Sequence, residues 1–196
     1  MKREGRVGGW RSAVGDGIFD VDFQYASVTG TSDAATLNLA AASVETVTIA
    51  GIETLTLNGE SGSSNIAVLT STAATTLNVT GSGNVDVNNV DDATTTINAA
   101  ASTGNIEMRG IGAVNTTITG GTGNDTFTMG TGDDTVVGGA GNDGITLTSL
   151  TNGDNIDGGA DTDTLTLTAI ASSTTPKNIV GIENLTVTTL GGGATD

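Results

Sequence analysis

No cysteine and no histidine occur in the chain, so disulfides stabilise nothing in it. Imidazole bases, thiolate nucleophiles and the usual transition-metal ligands are missing with them, and the many Ser and Thr have no partner base. Aromatics are scarce as well. One Trp, one Tyr and three Phe among 196 residues are too few for an ordinary globular core. Positive charge is the next shortage: six Lys and Arg face 22 Asp and Glu, a formal charge of -16. Such acidity opposes nucleic-acid binding, and it opposes compaction unless divalent cations neutralise it. No apolar run approaches the ~20 residues of a transmembrane segment. The N-terminus lacks the apolar stretch of a general secretory signal peptide, so export would need another signal. Gly191 to Asp196, GGGATD, reads like the middle of a repeat array and suggests a fragment of a longer protein.

What the chain has is glycine, 30 of them, and period. Residues 120 to 146 read GGTGNDTFT, MGTGDDTVV, GGAGNDGIT: three nine-residue units in tandem, each with glycine at its second and fourth positions and aspartate at its sixth. Six residues of each unit turn the chain and three form a short strand with one apolar side chain inward. Glycine is expected to supply positive φ in the turns. Two units make one coil of eighteen residues, so Asp125 stacks on Asp143. The pattern continues with slips: SLTNGDNID (149–157) keeps Asp154 and Ile156 but arrives two residues late. GGADTDTLT (158–166) keeps Asp163 and Leu165, with Asp161 in place of a glycine. One edge is expected to carry Asp125, Asp143 and Asp163, the other Asp134 and Asp154. The inward column is Phe127, Val136, Ile145, Ile156 and Leu165. A hard cation takes six to eight oxygens at about 2.3–2.6 Å, which two stacked carboxylates and the carbonyls of two glycine turns can offer. The candidate calcium ligands are therefore Gly121, Gly123, Asp125, Gly130, Gly132, Asp134, Gly139, Gly141, Asp143, Asp154 and Asp163. The competing reading, flexible Gly/Asn/Asp loop, leaves the in-register apolar residues unexplained.

Upstream the period is twenty. Thr36-Leu37-Asn38, Thr56-Leu57-Asn58, Thr76-Leu77-Asn78 and Thr96-Ile97-Asn98 recur at that spacing, predicting an inward column of Leu37, Leu57, Leu77 and Ile97 with Thr and Asn columns outside. Half-way between come Val47 and Ile49, Ile66 and Val68, Val85 and Val87, Ile106 and Met108. The fold class is thus all-β: a right-handed parallel β-solenoid, or β-roll, with two short strands per coil of 18–20 residues. Its expected divisions are a basic, aromatic cap or docking arm (1–30), a solenoid of twenty-residue coils (31–119), the nonapeptide roll (120–166) and a terminal coil that breaks off (167–196). Two phrases, GIETLTL (51–57) and GIENLTV (181–187), read as strand starts around a turn; Glu53 and Glu183 are the alternative as cation ligands, disfavoured because a lone carboxylate lacks the ligand count calcium needs. In the first segment Trp10, Phe19, Phe23 and Tyr25 could cover an open solenoid end. Alternatively, with Arg3, Arg6 and Arg11 they form an arm that docks on the acidic rod of a neighbour.

The nonapeptides, the GIE phrases and the Thr/Ala/Asn-rich coils of residues 31–189 resemble the RTX-type surface-layer proteins of Gram-negative bacteria. The resemblance implies that calcium folds the chain after export and bridges subunits into a lattice on the cell surface, and that Asp125, Asp134 and Asp143, with Asp154 and Asp163, are the turn ligands. Met129 and Asp161, where that pattern has glycine, are its departures. The expected function is a calcium-binding, self-assembling structural protein, not an enzyme, forming homo-oligomers or a lattice outside the cell. Alternatives are a virion decoration or fibre protein at the virion surface, and a module of an RTX adhesin. Ice binding is disfavoured because Thr122 would stack on Ala140, which interrupts a Thr row.

Overall fold

The structure is a computed structural model describing residues 19–23, 30–168, 175–176 and 178–188. Its described residues form strands and turns, with no helix. Alternate strands go to alternate sheets. One sheet has nine strands: β1 (Phe19–Phe23), β3 (Ser43–Ile49), β5 (Ser63–Ser71), β7 (Asn84–Val87), β9 (Ile106–Met108), β11 (Thr126–Met129), β13 (Gly144–Leu147), β15 (Thr164–Leu167) and β17 (Asn184–Val187). The other has eight: β2 (Ala34–Ala40), β4 (Thr54–Ser61), β6 (Thr76–Gly81), β8 (Thr96–Ser102), β10 (Thr117–Thr119), β12 (Thr135–Ala140), β14 (Asn155–Ala160) and β16 (Asn178–Val180). Every neighbouring pair is parallel, so the protein is a two-sided β-solenoid whose coils bury their apolar faces only by stacking. No helix among the described residues is long and apolar enough to cross a membrane.

Alternation along each strand builds the core. In β11, β13 and β15 the inward residues are Phe127, Met129, Ile145, Leu147, Leu165 and Leu167, all buried, and Val136 and Ile156 face them from the other sheet, as the nonapeptide spacing predicts. The two-residue delay before Asp154 is present too: Thr117 pairs with Thr135, eighteen residues on, and Thr135 with Asn155, twenty residues on.

Register departs from expectation upstream. Leu37 stacks on Leu57, but Leu57 then stacks on Val79, while Leu77 and Ile97 belong to a neighbouring row with Leu55 and Ile118. All four predicted residues are buried, yet they occupy two rows. The physical reason is that the stacked core constrains only strand positions; turns absorb extra residues. Thr54 pairs with Thr76, twenty-two residues on, and Asn155 with Asn178, twenty-three on, so coils run beyond the expected 18–20. Val68 is a second correction. It is half-buried, and Leu69 points inward in its place, because β3 and β5 switch the phase of their alternation together between Val44/Ile66 and Val47/Leu69.

Outside the core, polar ladders knit coil to coil. In each step a side-chain oxygen accepts the backbone N–H of the next coil: Asn84 from Asn105, Asn105 from Asn124, Asn124 from Asn142, and Asn142 from Thr162, each at 2.9 Å. This ladder runs through residue 119 without interruption, so the twenty-residue coils and the nonapeptides are one solenoid. The two ends differ. At the N-terminal end β1 pairs with β3, so part of the expected cap or arm is an edge strand; Arg3, Arg6, Trp10, Arg11 and Tyr25 lie outside the described residues, as does GGGATD. At the other end the last described row is exposed: Leu185 is 62% exposed, whereas Leu165, on which it stacks, is fully buried.

Candidate metal centre

Two turn edges flank the core, one where the chain enters each sheet. Along the edge entering the nine-stranded sheet, successive coils place Ser64, Val85, Ile106, Asp125, Asp143, Asp163 and Glu183 in one column. The carboxylates hold the column together by a repeated bond. Ile106 N–H donates to Asp125 Oδ1 (2.8 Å), Asp125 N–H to Asp143 Oδ1 (2.7 Å), Asp143 N–H to Asp163 Oδ1 (2.8 Å), and Asp163 N–H to Glu183 Oε2 (2.8 Å). The opposite edge repeats the device in a shorter run: Thr116 N–H donates to Asp134 Oδ1 and Asp134 N–H to Asp154 Oδ1. Both expected edges, Asp125/Asp143/Asp163 and Asp134/Asp154, are therefore formed, with all five aspartates buried.

The second oxygens separate these aspartates. Asp125 Oδ2 accepts Gly121 N–H and Asp154 Oδ2 accepts Thr151 N–H, so both carboxylates are satisfied by backbone. Asp143 Oδ2 and Asp163 Oδ2 are buried without a hydrogen-bond partner. An orphaned buried carboxylate oxygen is costly and is rarely left so in a folded protein. Each points at the first glycine of its own turn. A Cβ at Gly138 would collide with both Asp143 Oδ2 and Gly158 O, and a Cβ at Gly158 would lie 2.6 Å from Asp163 Oδ2 and closer still to Gly181 O. Gly120 repeats the arrangement with Asp125 Oδ2 and Gly138 O. In all three turns a carboxylate oxygen and a carbonyl oxygen from the next coil lie within 2.8 Å of one point, which only the absence of a side chain keeps clear.

The backbone corrects the expected positive φ of the turn glycines. Of Gly121, Gly123, Gly130, Gly132, Gly139 and Gly141, only Gly139 and Gly141 have left-handed φ. The others are glycine for lack of room: a Cβ would lie 2.6 Å from Gly104 O at Gly123 and 2.5 Å from Val114 O at Gly132, and would strike Ser102 O at Gly121 and Gly112 O at Gly130. These six pack turn on turn. The carbonyls that border the orphaned oxygens of Asp143 and Asp163 are those of Gly158 and Gly181, glycines that a search for the second and fourth positions passes over.

Electrostatics follow from burial and stacking. Burial, reinforced by Asp125, Asp163 and Asp161, pushes the Asp143 carboxyl from 3.8 up to about 7, against the opposing hydrogen bond from Asp125 N–H. Burial and the charges of Asp154 and Asp133 raise Asp134 to about 6. Asp125 and Asp163 are raised as well, chiefly by burial. Each carboxylate is thus short of positive charge, and the described cation Arg109 is taken up elsewhere by Asp86, Glu107 and Asn88. No three acidic side chains gather at one point among the described residues. An ion here would take its remaining oxygens from the main chain and water, the mixed set that a hard cation such as calcium accepts. The residues therefore fit calcium: paired carboxylates, facing carbonyls, and oxygens with no other partner.

Glu183 is the member of this column that sequence spacing did not assign. Its signal was the GIE phrase, read as a strand start; Gly181 opens that turn and Glu183 closes it in the aspartate position. No family model, curated protein or solved structure matches the chain.

Proposed function

We propose that this solenoid is a calcium-stabilised structural protein that assembles with copies of itself, as a surface-layer-like lattice or filament outside the cell. The observation that carries the calcium reading is the pair of orphaned, buried oxygens on Asp143 and Asp163, stacked in a column of like charge. Asp125, Asp143 and Asp163 would hold ions along one edge with the carbonyls of Gly138 and Gly158, and Asp134 with Asp154 along the other. A bound divalent cation supplies the positive charge these columns lack and joins one coil to the next. The chain's own part is to hold the oxygens in register: Oδ1 of Asp125, Asp143 and Asp163 is fixed by the backbone N–H of the preceding coil, with Oδ2 turned toward the gap at Gly120, Gly138 and Gly158. Calcium at a hundred times its dissociation constant would contribute about 2.7 kcal/mol per site, a large share of the net stability of a domain this thin in core.

Assembly is supported by the last described coil. Ile179, Val180, Leu185 and Val187 are exposed on β16 and β17, the outermost strands of the two sheets among the described residues. The absence of histidine and cysteine, and the commitment of the buried aspartates to the turn ladder, speak for a structural role over a catalytic one. Circular dichroism and light scattering on the purified chain, in EGTA and then in millimolar calcium, test both halves of the proposal. A rise in melting temperature with calcium together with large particles is the expected result. An unchanged melting curve would overturn the calcium reading, and a calcium-stabilised monomer at every concentration would overturn self-assembly.

A further inference from the structure

We propose that the acidic column carries one more cation site beyond the nonapeptides, formed by Asp163, Gly181 and Glu183 where the GIENLTV phrase meets the last aspartate turn. The proposal rests on the calcium reading above and extends it to residues outside the repeat.

Three observations converge there. Asp163 is fully buried, and its Oδ2 has no hydrogen-bond partner. That oxygen and Gly181 O both border the space a Cβ on Gly158 would fill, the same pairing seen for Asp143 Oδ2 with Gly158 O one coil earlier. Glu183 stands next in the column and accepts the Asp163 N–H through Oε2, as Asp163 accepts that of Asp143. Among the described residues its Oε1 makes no hydrogen bond. The turn from Gly181 to Glu183 is three residues shorter than that from Gly158 to Asp163, and the extra methylene of glutamate lets the carboxylate reach the column across the shortened turn. Two carboxylates and a carbonyl, completed by water, make a set for a hard divalent cation.

The first GIE phrase supplies a contrast. Glu53 Oε2 accepts the Asp33 N–H at 2.7 Å, the same bond, and Asp33 Oδ2 is likewise without a partner, but Asp33 is only half-buried where Asp163 is fully buried. At the second phrase Gly181 O lies against the orphaned oxygen, and the carboxylate there is shut away from water; at the first, the carboxylate is half open to it.

The test counts calcium ions by native mass spectrometry and isothermal titration on the full chain, using Glu183→Gln and Glu53→Gln. Glutamine keeps the acceptor for the backbone N–H and removes the charge. Glu183→Gln is expected to bind one calcium fewer than the parent, with an unchanged melting temperature in EGTA, while Glu53→Gln keeps the full number. Retention of every equivalent in Glu183→Gln, at unchanged affinity, overturns this site while leaving the nonapeptide sites standing. A lost equivalent accompanied by a lower melting temperature in EGTA means that Glu183 holds the coil and not the ion, and also overturns it. Loss in both variants overturns it too, because the shared hydrogen bond would then be the cause. A parent chain that binds no calcium overturns the wider reading and this site together.

Discussion

The same column is built twice in this molecule, with opposite chemistry. In the coils before residue 110 the edge entering the nine-stranded sheet carries Val85 and Ile106, both buried; from Asp125 onward the same stacked position carries Asp125, Asp143, Asp163 and Glu183. Parallel strand pairing and the asparagine ladder continue across the junction. The apolar version needs no counter-charge, since each side chain removes hydrocarbon from water. The acidic version buries carboxylates that repel one another, and its stability depends on what neutralises them. On the calcium reading proposed above, one fold holds a half that needs no ion and a half conditional on one.

Removing the carboxylate at the centre of the conditional half should break that contrast most strongly. Asp143→Ala leaves the buried Asp125 N–H without its acceptor, at about 1–3 kcal/mol, and deletes an ion worth about 2.7 kcal/mol at a hundredfold excess over its dissociation constant. A thermal melt in calcium should show the whole loss and one in EGTA only the first part. Asp143→Asn keeps the acceptor and removes the charge, so it should equal or exceed the parent in EGTA while losing the calcium response. Equal melting of parent and both variants in calcium would remove Asp143 from the centre of the site.

Acidity should separate the halves next. Between pH about 4 and about 7 the folded, metal-free chain holds a proton on Asp143 that the unfolded chain has released, because the folded value is about 7 against 3.8. Stability from this group is therefore full below pH 4 and is lost as pH rises through about 7, with Asp134 adding the same trend through about 6. Melting in EGTA should fall across that window, and saturating calcium should flatten or reverse the slope. A metal-free melting temperature that climbs steadily from pH 4 to pH 7 would contradict the buried, mutually repelling column.

The smallest effect is expected at Asp161, which holds φ +82 where the equivalent residue one coil earlier, Gly141, holds φ +110. Asp161→Gly relieves a left-handed backbone that costs a non-glycine residue roughly 1 kcal/mol, but gives up the bond from Gly141 N–H to Asp161 Oδ2. The two terms nearly cancel, and chemical denaturation should find a change within about 0.5 kcal/mol. A larger loss would mean that the Asp161 carboxylate contributes to the site beside Asp143 and Asp163.

Much of this was legible in the residues. The nine-residue spacing of Phe127, Val136 and Ile145 specifies both the strand and its inward face, and the sixth-position aspartates mark the two edges. The distinction between Asp125 and Asp143 was not legible, since it turns on whether the glycine four residues earlier donates its N–H to Oδ2. It does so at Gly121, and the Asp143 Oδ2 has no partner. Nor was the role of Glu183, whose turn is too short to match the nine-residue template. The asparagine ladder was hidden for a related reason: Asn84 and Asn105 are twenty-one apart, Asn124 and Asn142 eighteen, and no single period collects them.

By itself the sequence determined that the chain is a solenoid, because alternating apolar residues at a short repeat can bury their faces only by stacking coil on coil, and it determined which aspartates lie at the turns. Tertiary structure alone decided the register. Coils from eighteen to twenty-three residues long bring Leu57 over Val79 and Glu183 next to Asp163. Turn length shifts what lies above what without altering any local pattern, and the partners of a stacked carboxylate are set by that shift.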